Sequence, residues 1–245
     1  MARLVLKFGG TSMADPERIA ASAAIAAHEA GNGHQIAVVV SAMAGETDRY
    51  LSCAQALGGG LGEVETDTAL AAGEQAASAL MALALKEKGL QARSSLAWQL
   101  PMEADGAAGT ARITAINPAL LEACLEEGVI PVVAGFQGIS PDGRLVTLGR
   151  GGTDLSAAAI AAAIGADCDI YTDVDGVFTT DPRIEPSARR VARISHDEML
   201  ELAAMGAKVL QTRSVEYAKA KGVALSVKSS FAPPGMSAGT EVVAG

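Results

Sequence analysis

The stretch VTLGRGGTDLSAAAIAAAIG, Val146–Gly165, joins an apolar run to an alanine-rich one through Gly149, Gly151 and Gly152. The first part reads as the end of a strand over Arg144–Leu148. The second reads as a helix over Asp154–Ile164, because alanine is the least costly residue in a helix. Glycines at the junction permit positive φ and let backbone amides approach a partner closely. A helix N-terminus just beyond adds partial positive charge. Strand, glycine turn and helix together are the unit from which parallel α/β sheets build anion sites.

The same alternation extends in both directions. Leu4–Phe8, Gln35–Val40, Ala92–Leu96, Val129–Gly135, Asp169–Thr172 and Val223–Val227 read as strands, with Glu241–Val243 as a short edge strand. Helices are expected between them. Asp15 caps the first, with Pro16 at its first position and Gly31 at its end. Others span Thr47–Leu57, Glu63–Lys88 with an interruption at Gly73, Asn117–Gly128, and about Ala207–Lys221. Ser195 and Glu198 have capping-box spacing and open one more. Asp175–Gly176 is a turn signal that reads as a hairpin. Residues 99–111 give no clear period. This order predicts an α/β fold, a mainly parallel sheet with helices on both faces.

Composition narrows the class. The 245 residues are 49% hydrophobic and 19% charged, which supports a sizeable core, and only 3% aromatic, so that core is aliphatic. A net charge of −9 argues against nucleic acid or an anionic membrane as partner. Cys53, Cys124 and Cys168 are widely spaced and odd in number, which fits reduced thiols and a cytoplasmic chain. His28, His34 and His196 form no metal motif, so no protein-held metal is expected. No apolar run approaches a membrane span and no leader is read at the start.

Two loops fit phosphate chemistry: KFGGTS, Lys7–Ser12, and GRGGTD, Gly149–Asp154. Neither is a Walker motif, and each alone could be only a tight turn. Glu74 is a single acid in the apolar stretch AAGEQ. Thr172 and Asp173 end a strand, Asp181–Arg183 reads as a turn, and Lys208 alone reads as a surface lysine.

In order, KFGGTS, VVVSAMAGETD, AAGEQ, VVAGFQG, TLGRGGTD, YTDVDGVFTTDPR and ELAAMGAKVLQTRSVEYAK resemble the aspartokinase catalytic domain, the aspartate-specific branch of the amino-acid kinases. The resemblance runs from Leu4 to about Val242. It implies a three-layer α/β/α sandwich and transfer of a phosphoryl group from Mg-ATP to the β-carboxylate of L-aspartate. It also implies Lys7, Gly9 and Gly10 on the ATP phosphates, with Lys208 as a second phosphate lysine. Ser41, Thr47 and Glu74 would belong to the amino-acid site, Glu74 taking the substrate ammonium. Arg150 would grip the α-carboxylate, Gly151, Gly152 and Thr153 line the reacting centre, and Asp154 orient the lysines. Thr172, Asp173, Phe178, Asp181 and Arg183 would form the nucleotide pocket. Mg²⁺ would be held mainly by the nucleotide.

One kinase domain over 1–245 is expected, with 1–145 serving the amino acid and 146–245 the nucleotide. A homodimer is implied. No ACT regulatory domain is expected in the chain, so neither lysine nor threonine should inhibit it alone, and a separate ACT-bearing subunit is a candidate regulatory partner. Thr153 stands where serine is common, and residues 97–110 depart from the family pattern. Two other readings stay open: a sibling kinase of glutamate or an acylated glutamate, and a non-catalytic nucleotide-binding subunit.

Overall fold

The computed structural model describes residues 2–207 and 209–245; Met1 and Lys208 lie outside them. In chain order the elements are β1 (Arg3–Phe8), α1 (Pro16–Gly31), β2 (Gln35–Val40), α2 (Glu46–Ala56), α3 (Val64–Glu87), β3 (Ala92–Ser95), β4 (Met102–Asp105), β5 (Arg112–Ile116) and α4 (Ala119–Glu126). Then come β6 (Ile130–Ala134), β7 (Gln137–Ile139), β8 (Leu145–Thr147), α5 (Gly152–Ile164), β9 (Asp167–Thr172), β10 (Arg193–Ser195), α6 (His196–Ala204), α7 (Thr212–Lys221), β11 (Leu225–Ser229) and β12 (Thr240–Val243).

The main sheet has the order β10-β12-β11-β9-β1-β2-β6-β3. From β11 to β3 all neighbours are parallel. Their carboxyl ends therefore share one edge, which gathers Phe8, Val40, Ala134 and Thr172 from separate parts of the sequence.

Strand alternation sorts the core into two layers. Leu6, Phe8, Ile36, Val38 and Val40 pack with Ile19 and Ala23 of α1 and Ala77, Met81 and Leu85 of α3. Val5, Ala37, Val39 and Val133 pack on the other face with Ala157, Ile160 and Ala161 of α5, Leu121 of α4 and Val215 of α7. Each large side chain so buried stabilises the fold by about 1.5–3 kcal/mol. The result is the three-layer α/β/α sandwich expected from the alternation. Alanines at 157, 158 and 161 let α5 lie close to the strands beneath it.

Several local expectations hold. Asp15 accepts a hydrogen bond from the Arg18 amide at 2.8 Å with Pro16 in the first turn of α1. Ser195 and Glu198 close a reciprocal capping box at α6. Others are corrected. α3 runs unbroken through Gly73, where a Cβ would meet that of Ala42 at 2.7 Å. Gly73 is thus a close-packing position, not a break. α7 begins at Thr212, not near Ala207, with Gln211 as its extended N-cap. β12 is not an edge strand; it lies between β10 and antiparallel β11. Asp175–Gly176 forms no tight hairpin, since the first pairing beyond it joins Phe178 to Arg190.

Residues 99–111 contribute to a second sheet, β5-β4-β7-β8. Its strands are 3–5 residues long; β8 is the strand read over Arg144–Leu148, and the other three are too short to show a period. Among the described residues α3 alone has the length and hydropathy to cross a membrane, and half of that window is buried inside the protein.

Candidate active site

Lys7 breaks the apolar run Leu4–Phe8 of β1, and its side chain reaches the carboxyl edge of the sheet. It lies in register with Val39 and Ile170 of the flanking strands. Its Nζ stands 2.7 Å from Oδ1 of Asp154, in the first turn of α5. Both side chains are nearly buried, 13% and 11% exposed. The contact pairs the charges without hydrogen-bond alignment, so Asp154 Oδ1 has no hydrogen-bond donor among the described residues. The pair bridges the two glycine loops, whose sequences lie about 140 residues apart (Gly10 to Gly149).

Space around Lys7 is made by Gly9. Its backbone is extended, a conformation open to any residue. A Cβ there would stand 2.5 Å from Ser41 Oγ and 2.7 Å from Lys7 Nζ. Gly9, Lys7 and Ser41 therefore meet at one point. Gly10 is exposed at φ +55 with open space around it.

The glycines of the second loop are held by contacts within the protein. Gly149 sits at φ +75 with its Cβ position 2.6 Å from the Gly109 carbonyl oxygen. Gly151, at φ +74, lies under the side chain of Gln211, and Gly152 packs on Leu148 and Phe136, each 2.9 Å from the Cβ position. These glycines are required by contacts within the fold, whatever ligand the loop also meets. Phe136 has φ 68, an uncommon conformation for a bulky residue. It is held there by its amide, which donates to Ser156 Oγ, and its carbonyl, which accepts from the Leu148 amide.

Arg150 is exposed between these fixed glycines, while Thr153 and Asp154 are buried. Thr153 packs against Gly135 at the end of β6, where a Cβ would meet its Cγ2 at 2.6 Å. Thr47 is half-buried in the first turn of α2.

Glu74 is 4% exposed in the middle of α3. Burial pushes its carboxyl up to about 7, against the amides of Ala42 and of Glu74 itself, which pull it down. Its Oε2 has no hydrogen-bond partner among the described residues. A buried carboxylate with an open acceptor is costly unless a cation meets it.

Thr172 ends β9 and Asp173 follows it, with Thr172 Oγ1 donating to Asp173 Oδ1 at 3.2 Å. Phe178 is half-buried beyond them. Asp181 and Arg183 form a bidentate pair, Nε to Oδ1 at 3.0 Å and Nη2 to Oδ2 at 2.7 Å, which holds Asp181 at about 2. Arg183 is 88% exposed, so this pair lies on an open loop. Lys208 lies outside the described residues. Among those described, no group of three or more His, Cys, Asp and Glu could hold a metal.

Two residues carry no signal that the sequence makes plain. Asp67 is fully buried, and its carboxylate accepts from the amides of Gly109 (2.8 Å) and Thr147 (2.6 Å) and from Thr147 Oγ1 (2.9 Å). Arg213 donates to the carbonyls of Leu148 and Ala111. Asp67 lies in none of the motifs above, and Arg213 lies within ELAAMGAKVLQTRSVEYAK, where nothing local sets it apart from its neighbours. The one available sign is the placement of Asp67 in an apolar helix, the feature that also marks Glu74.

Residues 2–229 match the amino acid kinase family. Aspartokinase 2 of Bacillus subtilis is 51% identical over 231 residues, 94% of this chain and 57% of that enzyme. The aspartate kinase structure from Synechocystis superposes with a TM-score of 0.87 at 43% identity, covering 100% of this chain and 40% of that one. E. coli aspartokinase III, solved with aspartate and ADP, gives 0.84 at 30% identity over 98% of this chain and 64% of its own. The chain thus spans little more than half the length of the curated aspartokinases it matches.

Proposed function

The chain belongs to the amino acid kinase family, and from that premise we propose that it phosphorylates the β-carboxylate of L-aspartate with ATP, giving 4-phospho-L-aspartate. The observation that carries this reading is the Lys7–Asp154 pair, which brings a cation to the meeting point of both glycine loops. The complex of E. coli aspartokinase III with aspartate and ADP supports it by similarity.

A carboxylate acceptor simplifies the chemistry. An aspartate side chain ordinarily titrates at about 3.9, so it is ionised at neutral pH and needs no general base. The difficulty is to bring it to a polyanionic triphosphate, a problem of positioning and charge. In this reading Lys7 neutralises charge on the phosphates beside the amides of Gly9 and Gly10, and Lys208 is assigned the same task. Asp154 holds Lys7 in place. Arg150 grips the α-carboxylate with its planar fork. Glu74 receives the α-ammonium on Oε2, supported by Ser41 and Thr47. Gly152 and Thr153 flank the transferring group. Thr172, Asp173, Phe178, Asp181 and Arg183 contact the nucleotide. Residues 1–145 serve mainly the amino acid and 146–245 the nucleotide, with Lys7, Gly9 and Gly10 reaching across to the phosphates and Arg150 to the amino acid. Mg²⁺ enters with ATP and offsets its charge. The same reading carries a homodimer, and regulation through an ACT-bearing chain.

ADP release with a panel of amino acids, with and without Mg²⁺, tests it. L-Aspartate as the preferred acceptor is the expected result. Preference for glutamate or an acylated glutamate would replace aspartate, and nucleotide binding without turnover would make the chain a binding subunit.

A further inference from the structure

The start of α7 is built against the Gly149–Thr153 loop by two residues that the proposed chemistry does not use. Gln211 covers Gly151. Arg213 donates from Nη1 to the Leu148 carbonyl at 2.5 Å and from Nη2 to the Ala111 carbonyl at 3.0 Å. Leu148 is fully buried and immediately precedes Gly149 and Arg150. On the preceding residue, Asp67 takes both the amide and the hydroxyl of Thr147, and it also takes the Gly109 amide. Two charged side chains thus each straddle the same two segments, residues 109–111 and 147–148. A third tie joins these segments directly, from the Ala111 amide to the Thr147 carbonyl at 3.1 Å.

These ties fix the buried stretch Thr147–Leu148 from two sides. Charge-assisted hydrogen bonds are roughly twice as strong as neutral ones. Here they act on backbone two and three residues before an exposed arginine. The loop has little stiffness of its own with which to hold that arginine, because Gly149 and Gly151 flank it and glycine has the widest conformational freedom. The direction in which Arg150 leaves the loop is therefore set from outside it.

We infer that Arg213 is a positioning residue for the acceptor grip: with Asp67 it fixes Thr147–Leu148 and thereby aims Arg150. This rests on the reading of Arg150 as the carboxylate grip. Arg213 acts through backbone and does not touch substrate.

The test is a double-variant cycle on the 245-residue chain. Arg213→Lys keeps charge and stem but loses the fork that reaches two carbonyls, which protects against simple failure to fold. Its aspartate KM should rise by roughly tenfold or more, the scale of a small misplacement at a reacting centre, while the ATP KM changes by less than about twofold by the same argument. The double variant Arg150→Lys/Arg213→Lys should have the aspartate KM of Arg150→Lys alone, since residues acting as one unit are not additive. Multiplying effects, or equal changes in both KM values, would overturn the inference. If the unaltered chain prefers another amino acid, the aspartate reading fails and the cycle is run with that acceptor. If it turns over none, amide hydrogen exchange decides. Faster exchange at residues 149–153 in Arg213→Lys, with residues 35–40 unchanged, supports the inference, and unchanged exchange at 149–153 overturns it.

Discussion

Lys7 Nζ and Asp154 Oδ1 stand 2.7 Å apart, although one belongs to the first strand and the other to a helix that starts at residue 152. The pairing depends on the sheet order, which puts α5 over β1 and not beside its sequence neighbours alone. It gives a positive group a fixed address at the carboxyl edge.

Lys7→Ala should lower kcat with little loss of folded protein. Removing one preorganised charge-stabilising group costs about 2.7–4 kcal/mol of barrier, or roughly a hundredfold to a thousandfold. Steady-state ADP release together with thermal unfolding checks it. A variant retaining more than about a tenth of kcat, well short of that scale, would remove Lys7 from the mechanism. Asp154→Asn should fall in the same direction with a smaller effect, because Lys7 remains but is less firmly held.

The glycines should separate by what each would strike. Gly9→Ala meets the far ends of Lys7 and Ser41, which swing aside, so activity should drop while stability changes little. Gly149→Ala meets the Gly109 carbonyl oxygen at 2.6 Å and must also hold φ +75. Strain of that kind costs about 1–3 kcal/mol, which denaturant unfolding would read as a lower midpoint. Equal stability of the two variants would contradict this account of the loop.

Glu74 links pH to both stability and binding. Its folded carboxyl titrates at about 7, above the ordinary value of 4.5. The folded state therefore keeps this proton while the unfolded state releases it, and the contribution of Glu74 to stability falls as pH rises from about 4.5 towards 7. Aspartate binding should follow the opposite course, since only the ionised carboxylate meets an ammonium. The aspartate KM should fall as pH rises through about 7. Glu74→Gln should weaken aspartate binding and flatten that dependence; an unchanged profile would exclude the ammonium role.

Arg150→Lys keeps the charge and loses the fork, so aspartate KM should rise while the ATP KM holds. The comparison of the two KM values in one enzyme preparation is decisive. An unchanged aspartate KM would take the α-carboxylate away from Arg150.

Asp67→Ala should be among the most destabilising single changes, because it leaves the Gly109 and Thr147 donors unpaired in the interior. Each orphaned group costs about 1–3 kcal/mol. Urea unfolding would show this as a lower midpoint, and a wild-type midpoint would mean that water replaces the carboxylate.

Much of the architecture is legible in the sequence. Alternating strands and helices follow from the period of apolar residues, which is local. Asp15 with Pro16 and Ser195 with Glu198 mark helix starts through bonds spanning three residues, also local. The glycine loops announce where a backbone must bend or come close. What the sequence does not contain is the identity of the close neighbour. Gly73 reads as a break and proves to be a contact with Ala42; Gly149 and Gly151 read as ligand-facing, and the contacts with Gly109 and Gln211 that also require glycine there leave no mark in the sequence. The short strands β4, β5 and β7 leave too few residues for any period to register, and β12 takes an interior place that no local pattern encodes. Asp67 and Arg213 are ordinary residues in sequence, and their importance comes from partners 42 to 102 positions away. Sequence determines by itself what a segment of a few turns prefers, because those forces act between near neighbours. Only the tertiary structure decides which distant groups share a site, because burial and pairing are properties of the packed whole.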